Sequence, residues 1–201
     1  MLDIYLDKLY RYPRIQECVS VAVPFKKGEL KSISEIAVLQ NGKECIIQPE
    51  VTSSYDDGSV KFLFISFMAD LPANKRTKVI LSVSSEEYDK AVEASKLSYD
   101  NPIEKAENVH KAEVCVKKTE AGYTVNSGEL EFNVSDNSES IFTRLVDGRK
   151  IYTEENFEGP VLKDREGNDY KMSIGERRVV KPGPVEVTHS AKANNVVEAD
   201  K

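Results

Sequence analysis

The sequence predicts an all-β protein with two mostly antiparallel domains, a small barrel and then a sandwich, joined by a short helical linker. One observation behind this is the turn dipeptide Asp57-Gly58, which precedes an almost continuous apolar run over residues 60–68. Glycine reaches positive φ without a Cβ clash, and the run lacks the alternation of a half-exposed strand. It therefore predicts a central strand covered on both faces. A second observation is the strict alternation of residues 130–134, which is typical of a strand with one buried face.

The first predicted domain holds about five strands with short turns between residues 14 and 84, the spacing of a small barrel or sandwich. Residues 14–25 alternate valines with small residues, which predicts close packing on the small-residue face. Asn41-Gly42 lies between two apolar runs and predicts a tight hairpin, because both residues tolerate positive φ. Residues 1–13 fit a strand and one helical face, so both structures stay open.

The pattern changes after residue 84 and then returns to strands. Ser84 followed by Glu87 has the spacing of a helix N-terminus, and Asp100-Asn101-Pro102 would end that helix. We therefore expect a barrel domain at residues 1–84, a helical linker at 85–109 and a sandwich domain at 110–201. Because the last residues complete no recognisable element, we expect the sandwich to be incomplete.

Composition excludes several classes of function. The chain has 28 Lys and Arg against 34 Asp and Glu, a net charge of −6, so nucleic acid is not an expected partner. The three cysteines, Cys18, Cys45 and Cys115, lack metal-site spacing. No apolar stretch approaches the length of a membrane span, and no signal peptide is visible. We expect a cytoplasmic protein as the sequence is written, or a secreted one if a leader has been trimmed.

Four stretches carry a resemblance through their order and rough spacing over about residues 10–190. They are VAVPFKKG at 21–28, DGSVKF at 57–62 preceded by Gln48, SGELEF at 127–132, and GPV at 183–185. Together they resemble the N-terminal region of the exo-rhamnogalacturonan lyase family of bacteria and fungi. The chain departs from the family at Tyr55 and Phe62, where the family favours Trp, and it contains no Trp.

The resemblance implies a RIFT-related β-barrel for about residues 10–84, followed by the start of a central β-sandwich. In the family, a large helical α/α-toroid follows and forms much of the catalytic cleft, and no such helical pattern is present here. The resemblance therefore implies a non-catalytic N-terminal region of a pectin-acting lyase, whose partner is plant cell-wall polysaccharide. The alternatives are a stand-alone carbohydrate-binding or protein-interaction module, or a domain that only packs against the toroid.

β-Elimination at a galacturonosyl residue requires a base, a cation that neutralises the carboxylate, and a proton donor for the leaving oxygen. His189 is a weak candidate for the base, and His110 is expected to be a solvated loop residue. Arg177, Arg178 and Lys181 form the densest local positive patch, which suits an anionic sugar. A solvated strand end is the favoured interpretation of that patch.

No cofactor is expected, although one loop has acidic alternation around Gly167. Asp164, Glu166 and Asn168 are weak calcium candidates, because the distal bidentate acid of a dedicated calcium loop is missing. Asp57 is better explained as a turn residue that bonds its own backbone. A sugar-binding module would present exposed aromatic side chains, and the aromatic residues of the second domain are instead expected in the core: Tyr123, Phe132, Phe142, Tyr152, Phe157 and Tyr170.

Overall fold

A computed structural model describes residues 1–7, 11–96, 114–128, 130–136, 138, 140, 142–157 and 161–195, with side chains left undescribed at 162, 171–174, 191 and 193–195. The chain divides into two compact units, Met1–Lys111 and Ala112–Lys201. The described residues form antiparallel sheets and one α-helix, which confirms the all-β class. The three-part division at residues 84 and 109 stays a prediction.

The first unit consists of two antiparallel sheets and a helix. One sheet has the strand order β1-β7-β3-β4 and the other β2-β6-β5. The ambiguous N-terminus forms a strand that pairs with β7. The elements are β1 (Leu2–Leu6), β2 (Arg14–Pro24), β3 (Ala37–Gln40), β4 (Lys43–Glu44), β5 (Ile47–Ser54), β6 (Val60–Leu71), β7 (Thr77–Ser82) and α1 (Ser85–Ser95).

The two sheets are joined into a barrel at a corner after β4. The backbone N–H of Cys45 donates to Val38 of the first sheet at 2.8 Å, and the N–H of Met68 in the second sheet donates to Ile46 at 3.0 Å. A buried glutamine adds a side-chain link, because Gln40 exchanges hydrogen bonds with the backbone N–H and carbonyl of Asp70 at 2.9 and 2.8 Å. The predicted hairpin is present, and Asn41 and Gly42 have φ values of 52° and 74°.

The apolar interior of the barrel lies between the two sheets. On β6, Leu63, Ile65 and Phe67 are fully buried and contact the other members of this core. The alternate face of the strand is more open: Phe62 is 40 % exposed, and Cys18 and Ala22 on β2 are also exposed. The expectation that β6 is covered on both faces is therefore wrong at its N-terminal end, and the small-residue face of β2 is not closely packed.

The sheet β1-β7-β3-β4 is covered on both faces, because α1 packs on its outer side. Leu39 and Ile80 are fully buried against Ala91 of the helix, with Tyr88 and Val92 beside them. Ser84 occupies the predicted N-cap position with φ −153°, but its side chain makes no capping hydrogen bond. The helix is therefore held by apolar packing rather than by the expected capping box, and its predicted stop at residues 100–102 lies outside the described residues.

The second unit contains a five-stranded sheet of order β12-β11-β10-β9-β8 and a three-stranded sheet β13-β14-β15. On β10, Val134 is buried, but Leu130, Glu131, Phe132 and Asn133 are all half-buried, so the clean one-sided burial that the alternation predicted is not observed. The strands are β8 (Cys115–Thr119), β9 (Gly122–Asn126), β10 (Leu130–Ser135), β11 (Arg144–Asp147), β12 (Lys150–Thr153), β13 (Val161–Lys163), β14 (Asp169–Pro182) and β15 (Val187–Asn195). The arrangement agrees with an antiparallel sandwich.

Candidate functional site

The motifs that carry the resemblance in the barrel meet in one loop junction. The hydroxyl of Tyr55 donates to the carbonyl of Phe25 at 3.0 Å, and the N–H of Gly28 donates to Ser59 Oγ at 2.9 Å. Ser59 in turn donates its hydroxyl to Asp57 Oδ1 at 2.6 Å and its N–H to the same oxygen at 3.1 Å. These bonds connect the loop after β2 with the turn before β6. The motif residues therefore hold two loops of the barrel together.

Asp57 illustrates this structural role. Its hydrogen bonds from the Ser59 hydroxyl and N–H stabilise the carboxylate and lower its pKa below the usual value of 3.8. Gly58 supplies the positive φ of 81° that the turn requires. The prediction that Asp57 is a turn residue is confirmed.

Arg177 points into the second unit instead of forming a surface patch. The residue is only 8 % exposed, and its Nη2 donates to the carbonyls of Ser138 and Ser140 at 2.5 and 2.9 Å. Within the described residues, its Nε and Nη1 atoms have no hydrogen-bond partner. Burial lowers the pKa of this guanidinium, although the nearby Asp136 carboxylate opposes the shift. Arg177 therefore anchors the segment after β10 from within the fold.

His189 lies on the strand next to Arg177. It pairs with Val179 on β14, two residues beyond Arg177, so alternation places both side chains on the same sheet face. Its Nε2 atom is buried and has no hydrogen-bond partner among the described residues. Burial and the positive charge of Arg177 lower the pKa of His189 below its usual 6.5. Burial and the neighbouring charge therefore favour the neutral imidazole, which is half-buried beside a cation.

The three predicted cations do not form one surface. Arg178 alternates with Arg177 and is exposed on the opposite face of β14. Lys181 follows a register shift in the strand and forms an ion pair with Glu186 at 3.9 Å. The three side chains therefore differ in their environment: Arg177 is buried, Arg178 is exposed, and Lys181 is paired with Glu186. The other histidine considered, His110, lies outside the described residues.

The suggested calcium loop is organised by one carboxylate. Asp164 Oδ1 accepts the N–H groups of Glu166 and Asn168, both at 2.9 Å, and Oδ2 accepts from the Asn168 amide at 2.8 Å and the Tyr170 hydroxyl at 2.9 Å. These donors, Asn168 first among them, lower the pKa of Asp164 from 3.8 to about 2. Its oxygens are thus engaged in holding the loop. The described residues contain no group of three or more His, Cys, Asp and Glu suited to a metal ion.

The aromatic side chains of the second unit pack edge to face. Phe132 and Phe142 have ring centroids 5.0 Å apart at 70°, and Phe142 and Phe157 are 5.7 Å apart at 69°. Tyr152 joins the cluster at 6.4 Å from Phe157. This tilted geometry is typical of core packing and differs from the coplanar exposed platform on which a sugar ring would stack. Tyr123 and Tyr170 are half-buried outside these ring contacts.

A polar cavity on the five-stranded sheet was not predicted from the sequence. It has a volume of about 510 Å³ and is lined by residues of β9, β10 and β11. Two turns also line it, one at Gly128 between β9 and β10 and one at Gly148 between β11 and β12. Glu131 is one of the lining residues; Arg144 Nη1 donates to its Oε1 at 2.8 Å and Asn126 Nδ2 donates to its Oε2 at 3.2 Å. The only sequence signal was the polar alternation of β10, which is equally typical of a solvated sheet face.

Comparison with known proteins identifies the fold family of the first unit. Residues 4–81 match the family described as the PcRGLX-like N-terminal RIFT barrel domain. The match begins in β1 and ends in β7, so it covers the barrel and stops before α1. It confirms, for these residues, the resemblance to the N-terminal domain of the exo-rhamnogalacturonan lyase family. No curated protein matches the chain. No helix within the described residues is long and apolar enough to cross a membrane.

Proposed function

We propose that this chain supplies the non-catalytic N-terminal β region of a pectin-acting protein similar to the exo-rhamnogalacturonan lyases. The observation that carries the proposal is the match of residues 4–81 to the RIFT barrel domain of that family. The loop junction agrees with it, because the motif residues are used in hydrogen bonds that hold the barrel. The barrel is then a structural part of a larger lyase-like protein.

The chemistry of the candidate residues supports a non-catalytic role. Elimination needs a base near a cation that can contact the substrate carboxylate. Arg177 is buried and donates to two backbone carbonyls, while Arg178 is exposed on the opposite face of the strand. His189 is half-buried beside the Arg177 charge and away from Arg178. These three candidates therefore do not combine an accessible cation with an accessible base.

The direct test is an elimination assay on the chain with rhamnogalacturonan, followed by the ultraviolet absorbance of the unsaturated product. We expect no turnover above the buffer rate, with or without added calcium. Turnover that His189→Ala or Arg178→Ala abolishes, in variants that keep the wild-type circular dichroism spectrum, would contradict the proposal. The full lyase of the family is the positive control for substrate quality.

A protein-interaction module is the second candidate, and the open outer face of β2-β6-β5 favours it. Phe62 is 40 % exposed there, and its strand neighbours Ala22 and Pro24 are exposed as well. Exposed apolar faces of this kind are common where another protein surface packs. If the face mediates association, sedimentation velocity will show concentration-dependent oligomers that Phe62→Ser removes. A monomer at all concentrations, with the same sedimentation for wild type and Phe62→Ser, would exclude self-association through this face.

A further inference from the structure

The N-terminal strand leaves one edge of the barrel open. β1 pairs with β7 on one side, and none of the strands that the structure describes pairs with its other side. Alternate residues of β1 therefore direct their backbone N–H and C=O groups away from the sheet. Such a row of unpaired groups is a template on which another extended chain can pair.

The other three strands at the ends of the two barrel sheets each carry a feature that hinders pairing. β4 has only two residues, and β5 contains Pro49, which has no N–H to donate. β2 ends at Pro24 and begins with a bulge, where Gln16 has a φ of 53° and the register to β6 shifts. β1 contains no Pro and no Gly, and its register to β7 is regular. Its edge is therefore better suited to pairing than the other three.

The side chains that β1 turns inward are only half covered. Leu2, Ile4 and Leu6 pack against the barrel core but are half-buried. On β7, the residues paired with Leu2 and Ile4 are Leu81 and Val79, and both are fully buried. The cover over the apolar interior therefore becomes incomplete at β1. A strand added beside β1 would bury more of these apolar side chains and so stabilise the pairing.

The outward side chains of β1 indicate which strand fits beside it. Asp3 is the one charged residue of the strand, and Tyr5 is 52 % exposed. Two copies of β1 that pair antiparallel about Ile4 place Leu2 of one copy opposite Leu6 of the other, and Asp3 opposite Tyr5. No like charges face each other in this register, and the Asp3 carboxylate can accept from the Tyr5 hydroxyl of the second copy. The strand is therefore complementary to itself, as a two-fold interface requires.

Two basic side chains of the barrel accompany this outer surface. Lys78 Nζ lies 3.5 Å from Asp3 Oδ2, and the guanidinium carbon of Arg76 lies 4.5 Å from the centre of the Tyr5 ring. Because Lys78 is paired with Asp3, two copies that meet at β1 do not bring uncompensated carboxylates together. The charge distribution therefore favours a second copy as the occupant of this edge.

We propose that the open edge of β1 is an interaction surface and that its partner is β1 of a second copy of this chain. The two barrels then share one continuous antiparallel sheet, with the two β1 strands side by side about Ile4. This inference does not depend on the proposed lyase-like function. It also uses the sheet edge at β1 and not the outer face around Phe62.

The experiment is sedimentation velocity of the full chain at concentrations up to about 1 mM. A pair of five-residue strands buries much less area than a standard interface, so we expect a monomer–dimer equilibrium with a Kd on the order of 0.1–1 mM. Amide hydrogen exchange is measured at the lowest and highest concentrations. Exchange at residues 2–6 should slow as the dimer forms, whereas exchange in β5 should not change.

Charge variants test the register of the pairing. Tyr5→Asp places carboxylates opposite each other at two symmetric positions, and we expect it to raise the Kd of the dimer about tenfold. Adding Asp3→Lys to this variant places Lys opposite Asp at both positions and should return the Kd to within about threefold of the wild-type value. Tyr12→Asp is the matched control, because Tyr12 is 76 % exposed and lies outside β1. It should leave the Kd unchanged.

Several results would overturn the inference. The first is a chain that stays monomeric at about 1 mM, and the second is a dimer whose Kd does not respond to Tyr5→Asp. The third is a dimer that Phe62→Ser dissociates and Tyr5→Asp does not, because its contact would lie on the outer face of β2-β6-β5. A folded double variant in which Asp3→Lys restores no association would contradict the antiparallel register about Ile4. The elimination assay does not measure association, so its result and this one are independent.

Discussion

The two units of the chain differ in what they bury. The barrel has a continuous apolar interior in which Leu63, Ile65 and Phe67 are fully inaccessible to solvent. In the described part of the second unit, the buried apolar side chains are smaller ones such as Val125 and Val134, and a charged residue, Arg177, is also buried. A packed apolar core specifies a fold, whereas a buried polar group has to be held by specific hydrogen bonds.

The difference explains where function can be sought. In the barrel, the polar residues of the family motifs bond one another and the backbone, so their chemistry is used in construction. In the second unit, polar side chains that line an open groove also bond one another, as Arg144 and Glu131 do.

The largest expected effect concerns the barrel core. Phe67 lies on β6, which pairs with β2 on one side and β5 on the other, and its ring is fully buried. We expect Phe67→Ala to lower the free energy of unfolding by about 3–5 kcal/mol. Phe62→Ala on the same strand, 40 % exposed, should cost less than about 1 kcal/mol. Urea denaturation of both variants checks this. Equal costs would show that the outer face of β6 is packed as tightly as the inner one.

The next effect distinguishes buried from exposed arginine in the sandwich. Arg177→Ala leaves the carbonyls of Ser138 and Ser140 without their donor, so we expect a loss of about 1.5–3 kcal/mol in stability. Arg178→Ala, at the adjacent exposed position, should change stability by less than about 0.5 kcal/mol. Chemical denaturation, followed through the transition of the second unit, measures both. A neutral Arg177→Ala variant would contradict the inward orientation of this side chain.

A smaller effect is expected in the pH dependence of folding stability. The pKa of His189 is lower in the folded chain than its unfolded value near 6.5, so folding favours the neutral ring. Stability is then intact above pH 6.5 and is lost as the pH falls below it, because the unfolded chain takes up the proton first. We expect His189→Gln to flatten the pH dependence between pH 7 and the lower folded pKa. Stability curves of the two proteins that run parallel in this window would contradict the assignment.

The smallest effect belongs to the exposed loop of Asp164. Its pKa of about 2, set by donors from Asn168, means that stabilisation is present above pH 3.8 and is lost as the pH falls towards 2. Carbon-13 NMR titration of the carboxyl group measures this pKa. Asn168→Ala should raise it towards 3.8, while Glu166→Ala, which keeps its own N–H donor, should leave it nearly unchanged. No change in Asn168→Ala would show that the Asn168 amide does not set the shift.

The sequence predicted the barrel strands well because local signals are strong there. Asn41, Gly42 and Gly58 define turns through their positive φ values, and the strands between them follow from alternation. Which face of each strand is buried was harder to predict. Whether Phe62 or Ile80 is covered depends on which sheet α1 packs against, and that choice is made by tertiary contacts rather than by periodicity.

The candidate site was less predictable for two physical reasons. Register shifts in β14, before Arg177 and after Val179, break the simple alternation that would have placed Arg177 and Lys181 on one face. The cavity is formed by three strands that bring Asn126, Glu131 and Arg144 together in space. Their adjacency depends on strand register, and a single sequence does not contain that information.

We propose that these two units work as a β region of a larger lyase-like protein. Intact-mass analysis of the protein as it occurs in its source cells tests this most directly. The account predicts a natural product several times heavier than the 22.5 kDa of this chain. A natural product of about 22.5 kDa would contradict the account and make a stand-alone binding module the better description.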